Sequence, residues 1–549
     1  MKLGCNFPLS GARETSENIV WYNNYTSYTF SEVFFMLGKK SGQIDIFNSM
    51  IFQKLVPKDH LLVKIDSLID FSFVYDIVKN NYSDIGRKSK DPVVLFKINL
   101  LEYLYKLSDP SVIIRAQTDI AFRWFLGLNL DDELPDDTTI SHFRIHRLGE
   151  KGFDDIFNKI VKKCIENNLV GRKRYMIDST NVDANVNFPS IRRLICNAFR
   201  KVLNEIHKFN SNLSDELLRN FESDIDFEYE KSDKVPVLKF CDIARKYAEL
   251  IYLKTYDELQ DNQRYLNVYS ILWDIIEQYS NPKSKDKIIS CVDPDARVAH
   301  KSPGVTKKGY KDHIIVDEDS EIILASTQTP FNIGDEKELI NLIEKVDKNF
   351  DIIPEEISAD KAYGTNDNRG YLKDNNIVSN IDFYNKSNVE YDKFDLRMFS
   401  VAENLKSIEC PNGVTSTKFT ISKDGSFINF TFNAKSCTKC PLRDQCLYTN
   451  EFKKNKGRII RISTRYDAVM RDMHRVSTEE FRIANNKRYK VERRFSTLVR
   501  NHGLRRNRYL RLMGAKIHIT LANTACNIIR MVNLMWDKYH LSLAIAKNT

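Results

Sequence analysis

The chain contains no run of 18 or more apolar residues, so no membrane-spanning helix is expected. Met1 to Thr15 lacks a basic stretch followed by an apolar one, which argues against a secretory leader. No internal repeat is found, so a repeat array is not expected. His300, His313 and His502 are scattered without the spacing of a histidine metal motif, and surface or core roles suit them. With no leader, the ten cysteines are expected reduced or metal-bound in a cytoplasm rather than paired in disulfides.

What is present is ample for globular cores. The 549 residues are 42% hydrophobic and 11% aromatic, which excludes disorder across the chain and predicts two or three domains. The net charge of +9 is unevenly spread: residues 451–549 hold 23 Lys and Arg against 7 acids, and the remainder carries −7. A basic final fifth on a near-neutral body suggests a polyanion site there, although a solvated basic face gives the same composition.

Residues 1–55 carry little signal beyond an aromatic-rich stretch from Tyr28 to Gly42. From Val56 to about Val170 apolar residues recur at helical spacing, with Pro92 at a first helical position and a capped turn at Pro135–Arg144. At Arg174 the pattern changes. Tyr175-Met176-Ile177-Asp178 reads as a buried strand ending on an acid, and Ile357-Ser358-Ala359-Asp360 as a second one. Further strands are expected at Ile288–Val292, His313–Val316 and Ile322–Ala325, with helices over 189–280 and Glu336–Val346. Residues 366–450 read as irregular, Ser477 as the cap of a helix running to Val499, and 515–537 as a buried last helix.

Two strand-end aspartates in an alternating α/β pattern place a site at the sheet edge. A third acid stands out between Lys487 and Arg511, where ten basic residues surround the single carboxylate of Glu492. The plain explanation is an (i, i+4) pair with Arg488, worth a few tenths of a kcal/mol. The alternative is metal ligation, with the basic residues holding phosphates. Asp183 reads as a turn cap before it reads as a fourth ligand, and Asp293 and Asp295, in Asp-Pro-Asp, as a turn.

These residues resemble bacterial insertion-sequence transposases of the DDE superfamily, roughly from Val56 to Arg530. The similar segments are Val56–Leu62, Gly86–Ser89, Asp91–Lys97 and Phe122–Leu128; Asp178-Ser179-Thr180; Asp293–Arg297, Gly309-Tyr310-Lys311 and Thr329-Pro330 with Asn332 and Asp335; Asp360–Gly364; and Arg488, Val491-Glu492, Phe495 and Gly503–Arg506. Some relatives carry Tyr where this chain has Asn485, and a Lys or Arg where it has Val499, with Arg500 next to it.

The resemblance implies metal-dependent cleavage at the ends of an insertion sequence and strand transfer into target DNA. Two Mg²⁺ or Mn²⁺ ions about 3.5–4 Å apart suit such phosphodiester chemistry. Asp178 is assigned as the ligand common to both ions, Asp360 to one and Glu492 to the other. Arg488, Lys361, Tyr363, Arg493, Arg494, Arg500, Arg505 and Arg506 are assigned to DNA. The implied fold is an α/β RNase H-like catalytic domain, a mixed sheet flanked by helices, built from 171–188, 281–365 and 451–540. It is preceded by a segment at 1–55 and a helical DNA-binding domain at 56–170, and interrupted by a helical insertion at 189–280 and a cysteine-bearing one at 366–450. A homodimer on double-stranded DNA, bound at terminal inverted repeats in a bacterial nucleoid, is also implied. A catalytically inactive DNA-binding relic and a nuclease without strand transfer are the competing functions.

Cys410, Cys437, Cys440 and Cys446 fall close together, with a hairpin pattern around Asp424-Gly425 between the first two. Four thiolates suit tetrahedral zinc, and the arrangement reads as a zinc ribbon, against free thiols as the alternative.

Overall fold

The computed structural model describes residues 38, 44–83, 88–231, 236–302, 305–384, 393–447 and 456–548. The aromatic-rich stretch before Gly42, except Gly38, and Gly86-Arg87 of one quoted motif lie outside them.

The first described region is helical: Ile46–Leu55, Leu61–Leu68, Phe73–Val78, Pro92–Leu104, Asp109–Thr118, Ile120–Leu126, Asp137–His142 and Gly149–Glu166. Local chemistry sets the boundaries. Asp91 accepts the N–H groups of Val93 and Val94 while Pro92 occupies the first turn, and Gly127, at φ +67°, ends the helix capped by Asp119.

A mixed sheet follows, formed by β1 (Arg174–Asp183), β2 (Arg297–Ser302), β3 (Val305–Asp317), β4 (Ile323–Pro330), β5 (Glu356–Ala359) and β6 (Val378–Ile381). β3 lies antiparallel to β1, β2 and β4, while β5 runs parallel to both β1 and β6. Across the main body the order is therefore β4-β3-β1-β5-β6, with β2 forming a hairpin on the end of β3. Gly309 permits the close approach of β3 to β1: its φ is +138°, and a Cβ there would run into the Val182 carbonyl. Helices Glu338–Phe350 and Asn366–Asp374 make the crossovers to β5 and β6.

Three hydrophobic clusters organise the chain. The largest runs unbroken from the N-terminal helices through the sheet to helices Tyr489–His502 and Arg511–Asn548. A second fills the interior of helices Ile191–His207, Ser211–Lys231, Val237–Leu259 and Gln263–Ser280. A third, small one lies around Phe399, Phe430 and Ile460, where β10 (Phe419–Ile421), β11 (Phe427–Thr431) and β12 (Ile459–Ser463) pair; β7 (Ser400–Val401), β8 (Ile408–Glu409) and β9 (Thr415–Ser416) pair beside them. No described helix is long and apolar enough to cross a membrane.

Three expectations are corrected. Ile288–Val292 is not a strand: Gln278 accepts the Ile288 N–H, the Tyr279 hydroxyl donates to the Ile288 carbonyl, and Ser290 accepts from Val292 and Asp293. Side chains have taken the groups a strand partner needs, and Ile288 and Cys291 close the second cluster instead. Residues 366–381 are not irregular: Thr365 caps the helix from Asn366, and β6 extends the sheet, so the departure from it begins after Ile381. The helix expected from Ser477 to Val499 is two helices. Thr478 caps the first, Glu479–Asn486, and the second begins at Tyr489 with no side-chain cap.

His502, deep in the main cluster, donates from Nδ1 to the Tyr103 carbonyl, and burial pushes its pKa down to about 4. The folded state therefore binds fewer protons than the unfolded state between pH 4 and 6.5, and this contribution to stability is lost as pH falls through that window. In denaturant unfolding, wild type should lose about 1.4 kcal/mol per pH unit relative to His502→Gln over that range. A parallel pair of profiles would contradict this.

Candidate active site

The fully buried run Tyr175-Met176-Ile177 delivers Asp178 to the end of the sheet core, where its Oδ1 accepts the Ser179 N–H at 2.8 Å. Ile357 and Ala359 do the same for Asp360, which caps the turn Lys361–Tyr363 through the Lys361 N–H at 2.8 Å. β1 and β5 are parallel with Ile177 opposite Ala359, so the two aspartates stand at neighbouring positions; Asp360 follows the end of β5, whereas β1 does not end on Asp178 as expected but stays paired with β3 as far as Asp183. Glu492 arrives from the first turn of the helix Tyr489–His502, where the helix dipole favours an acid. All three line one open cleft of about 630 Å³ with Ser179, Arg488, Phe495, Ser496, Val499, Arg500 and Arg505.

The cleft is electrostatically strained. Burial pushes the pKa of Asp178 up to about 6; the Ser179 N–H and the Arg488 guanidinium oppose this, while Asp360 and Asp335 add to it. Arg488 stands 3.8 Å from Asp360 and does not pair with Glu492. Glu492 is exposed and has no ion pair among the described residues, so the (i, i+4) explanation for it fails. Behind Asp178, Asp335 accepts from the Ser179 hydroxyl at 3.0 Å and from Lys311 at 2.6 Å. Asp335 was quoted only for resemblance; its position at the end of a strand-turn was the signal that could have placed it beside the site.

Several residues assigned to DNA are employed otherwise. Tyr363 is fully buried, because its short turn tucks the ring into the main core, so it presents no surface to DNA. Lys361 pairs with Asp382 at 2.9 Å. Arg494 is buried against Glu321 at 3.1 Å, and Arg493 pairs with the same carboxylate. Arg505 and Arg500 line the cleft, with Arg505 donating to the Asn181 carbonyl at 2.9 Å; Arg506 is exposed beside them. Val499 and Arg500 are both on the cleft wall, and Asn485 is exposed on the preceding helix.

The other acids and histidines are structural. Asp183 bridges to the segment at Arg506 through its backbone. Buried Asp293 accepts from the Tyr310 hydroxyl, and Asp295 accepts the Leu512 N–H at 2.9 Å. His313 is buried against Thr329 and its pKa is pushed down to about 4 by burial.

Two family models match the chain: a transposase domain (DUF772) over residues 50–146 and a transposase DDE domain over residues 409–532. Together the two matches indicate a DDE-type insertion-sequence transposase. No curated protein and no solved structure matches it. The second match contains Glu492, while Asp178 and Asp360 lie outside both, so the joining of the three acids in one cleft is independent information. Transposases act on DNA, and Arg488, Arg500 and Arg505 line the same cleft as the three acids.

A second, much smaller pocket of about 30 Å³ is lined by Cys410, Cys437, Cys440 and Cys446 with Phe399, Phe432 and Arg458. None of the four forms a disulfide, and the Arg458 N–H donates to the Cys437 sulfur at 3.5 Å. Burial, reinforced by the other three sulfurs, raises Cys446 to about 11. Among the described residues no three Cys, His, Asp or Glu side chains already surround a common metal position, here or in the cleft.

The two classes of arginine predict different phenotypes. Arg494→Ala removes one of the arginines that donate to the buried Glu321 and should cost about 1.5–3 kcal/mol in denaturant unfolding. Arg500→Ala should leave stability unchanged, weaken DNA binding, and lower the slope of log affinity against log salt by about one in fluorescence anisotropy. A stability loss for Arg500→Ala with an unchanged slope would contradict the assignment.

Proposed function

We propose that this transposase cleaves the ends of its element and joins them to target DNA, using Asp178, Asp360 and Glu492 as the metal-binding carboxylates of an RNase H-like domain. One observation carries the reading: three acids from two strands and a distant helix line a single cleft with three arginines. The strand order β4-β3-β1-β5-β6, three antiparallel strands followed by two parallel ones, supports the fold assignment.

The donors fit hard divalent cations, which take carboxylate oxygens and water. Glu492 has no counter-ion among the described residues, and Asp178 is buried with the Ser179 N–H and the Arg488 guanidinium favouring its charge. Asp178 would serve two ions, Asp360 one and Glu492 the other. When bound, Mg²⁺ or Mn²⁺ supplies charge stabilisation to the attacking and leaving oxygens of the phosphodiester. The chain's own residues do the rest. The Ser179 N–H fixes the rotamer of Asp178, and Asp335 holds Ser179 from behind. Arg488, which lines the cleft 3.8 Å from Asp360, is available to a phosphate next to the scissile bond. Arg500 and Arg505 extend the positive wall, with Arg500 supplying the charge that Val499 lacks. Water is the nucleophile for cleavage, and the freed 3′-hydroxyl is the nucleophile for joining.

The four cysteines are read as the ligands of one structural zinc on a ribbon-like sheet. Four soft donors around a water-sized cavity suit Zn²⁺, and an N–H donated to sulfur favours the thiolate.

Two experiments test this reading. With labelled DNA carrying the element's ends and Mg²⁺ or Mn²⁺, wild type should nick and join while Asp178→Asn binds DNA equally and does neither. Equal binding without cleavage by either would leave a DNA-binding relic, and nicking without joining a nuclease. Purified protein should contain about one zinc per chain, and Cys437→Ser should lose it together with thermal stability. A folded, zinc-free wild-type protein would contradict the ribbon.

A further inference from the structure

The helix that carries Glu492 is gripped from behind by an acidic turn that no part of the sequence reading singled out. β3 and β4 are joined at Asp317–Glu321, and this turn is preformed: Asp317 accepts both the N–H and the hydroxyl of Ser320, at 2.8 and 2.6 Å. Glu321 adopts φ +59°, in the left-handed region that non-glycine residues seldom enter. Glu318 and Glu321 are nearly fully buried, at 3% and 2% exposure, which is unusual for ionised side chains.

Basic residues converge on the turn. Lys487 donates to the Glu318 carboxylate at 2.7 Å and Lys490 to the Glu318 carbonyl at 2.8 Å. Arg493 and Arg494 each donate from Nε to Glu321 at 3.1 Å, and Arg530 of the last helix donates to the Ser320 carbonyl at 2.6 Å. Lys490 and Arg494 are four residues apart and share one helix face. Glu492 is two residues from each, about 200° round the axis, and so projects from the opposite side into the cleft. The helix begins with no side-chain cap of its own, so its start is fixed by these contacts.

We propose that the Glu318–Glu321 turn is a positioning element for the third carboxylate: Glu321, through Arg493 and Arg494, sets the rotation of the helix that aims Glu492 at Asp178 and Asp360. This rests on the reading of those three acids as a metal site. It also explains the basic run around Glu492, part of which neutralises a buried acidic turn and only part of which is left for DNA.

The test is Mn²⁺ binding, measured calorimetrically on wild type, Glu321→Gln, Arg493→Gln and Glu492→Gln, with affinity for a double-stranded oligonucleotide measured in parallel. Residues that orient metal ligands alter metal affinity by 10–100-fold. Glu321→Gln should weaken Mn²⁺ binding on the order of ten-fold with unchanged DNA affinity. Arg493→Gln, half-exposed and the safer substitution if Glu321→Gln does not fold, should shift the same way. Folded Glu321→Gln with wild-type Mn²⁺ affinity overturns the proposal, as does Arg493→Gln with weaker DNA binding and unchanged Mn²⁺ affinity. Glu492→Gln separates the two layers: loss of Mn²⁺ there with no change in Glu321→Gln sinks the positioning role alone, whereas wild-type binding by Glu492→Gln sinks the metal site with it.

Discussion

Carboxylates brought close together repel, and a fold that gathers three of them must hold them by other means. Here the means is the parallel pairing of β1 with β5, in the register that sets Ile177 opposite Ala359. Apolar side chains on both strands are buried in the main core, so that register is fixed by packing. A slip of one residue would turn Asp178 into the core and Ile177 toward the cleft. The raised pKa of Asp178 comes first from its burial, with Asp360 and Asp335 adding to it.

The third acid is held by a different kind of force. Its helix buries Val491, Phe495 and Leu498 in the main cluster and presents its basic side to the acidic β3–β4 turn. The end of that helix and the segment after it are tied to the N-terminal helices by buried polar contacts. Arg144 bonds Glu102, Asp109 and Asn99 while stacking on Tyr509, and the Tyr103 hydroxyl meets His518 at 2.8 Å. Hydrophobic contact alone would leave this junction free to slide; directional bonds in a dry interior do not. The N-terminal helices and the cleft therefore keep a fixed relation, and DNA touching both would meet them in one register.

Much of this was readable in the sequence. The N-terminal helical region and the strands and helices after it followed from apolar periodicity, the mixed sheet from the family resemblance, and the two acids from the apolar runs before them, although β1 continues past Asp178 to Asp183. The hairpin around Asp424-Gly425 followed from turn chemistry, with Gly425 at φ +73°. What was not readable depended on partners distant in sequence. Nothing local distinguishes Arg494, buried against Glu321, from Arg500 on the cleft wall; both are arginines in one basic helix. Ile288–Val292 has the composition of a strand but lost its backbone groups to Gln278 and Tyr279 side chains. Tyr363 lies three residues after an active-site acid, yet a tight turn sends it inward.

The central claim is that Asp178, Asp360 and Glu492 together bind divalent metal. Crystals of the protein soaked in Mn²⁺, with anomalous difference maps calculated at the manganese edge, test it most directly. The account predicts anomalous density in the cleft within bonding distance of Asp178 and at least one of the other two carboxylates. Well-ordered crystals with manganese bound elsewhere and an empty cleft would contradict it.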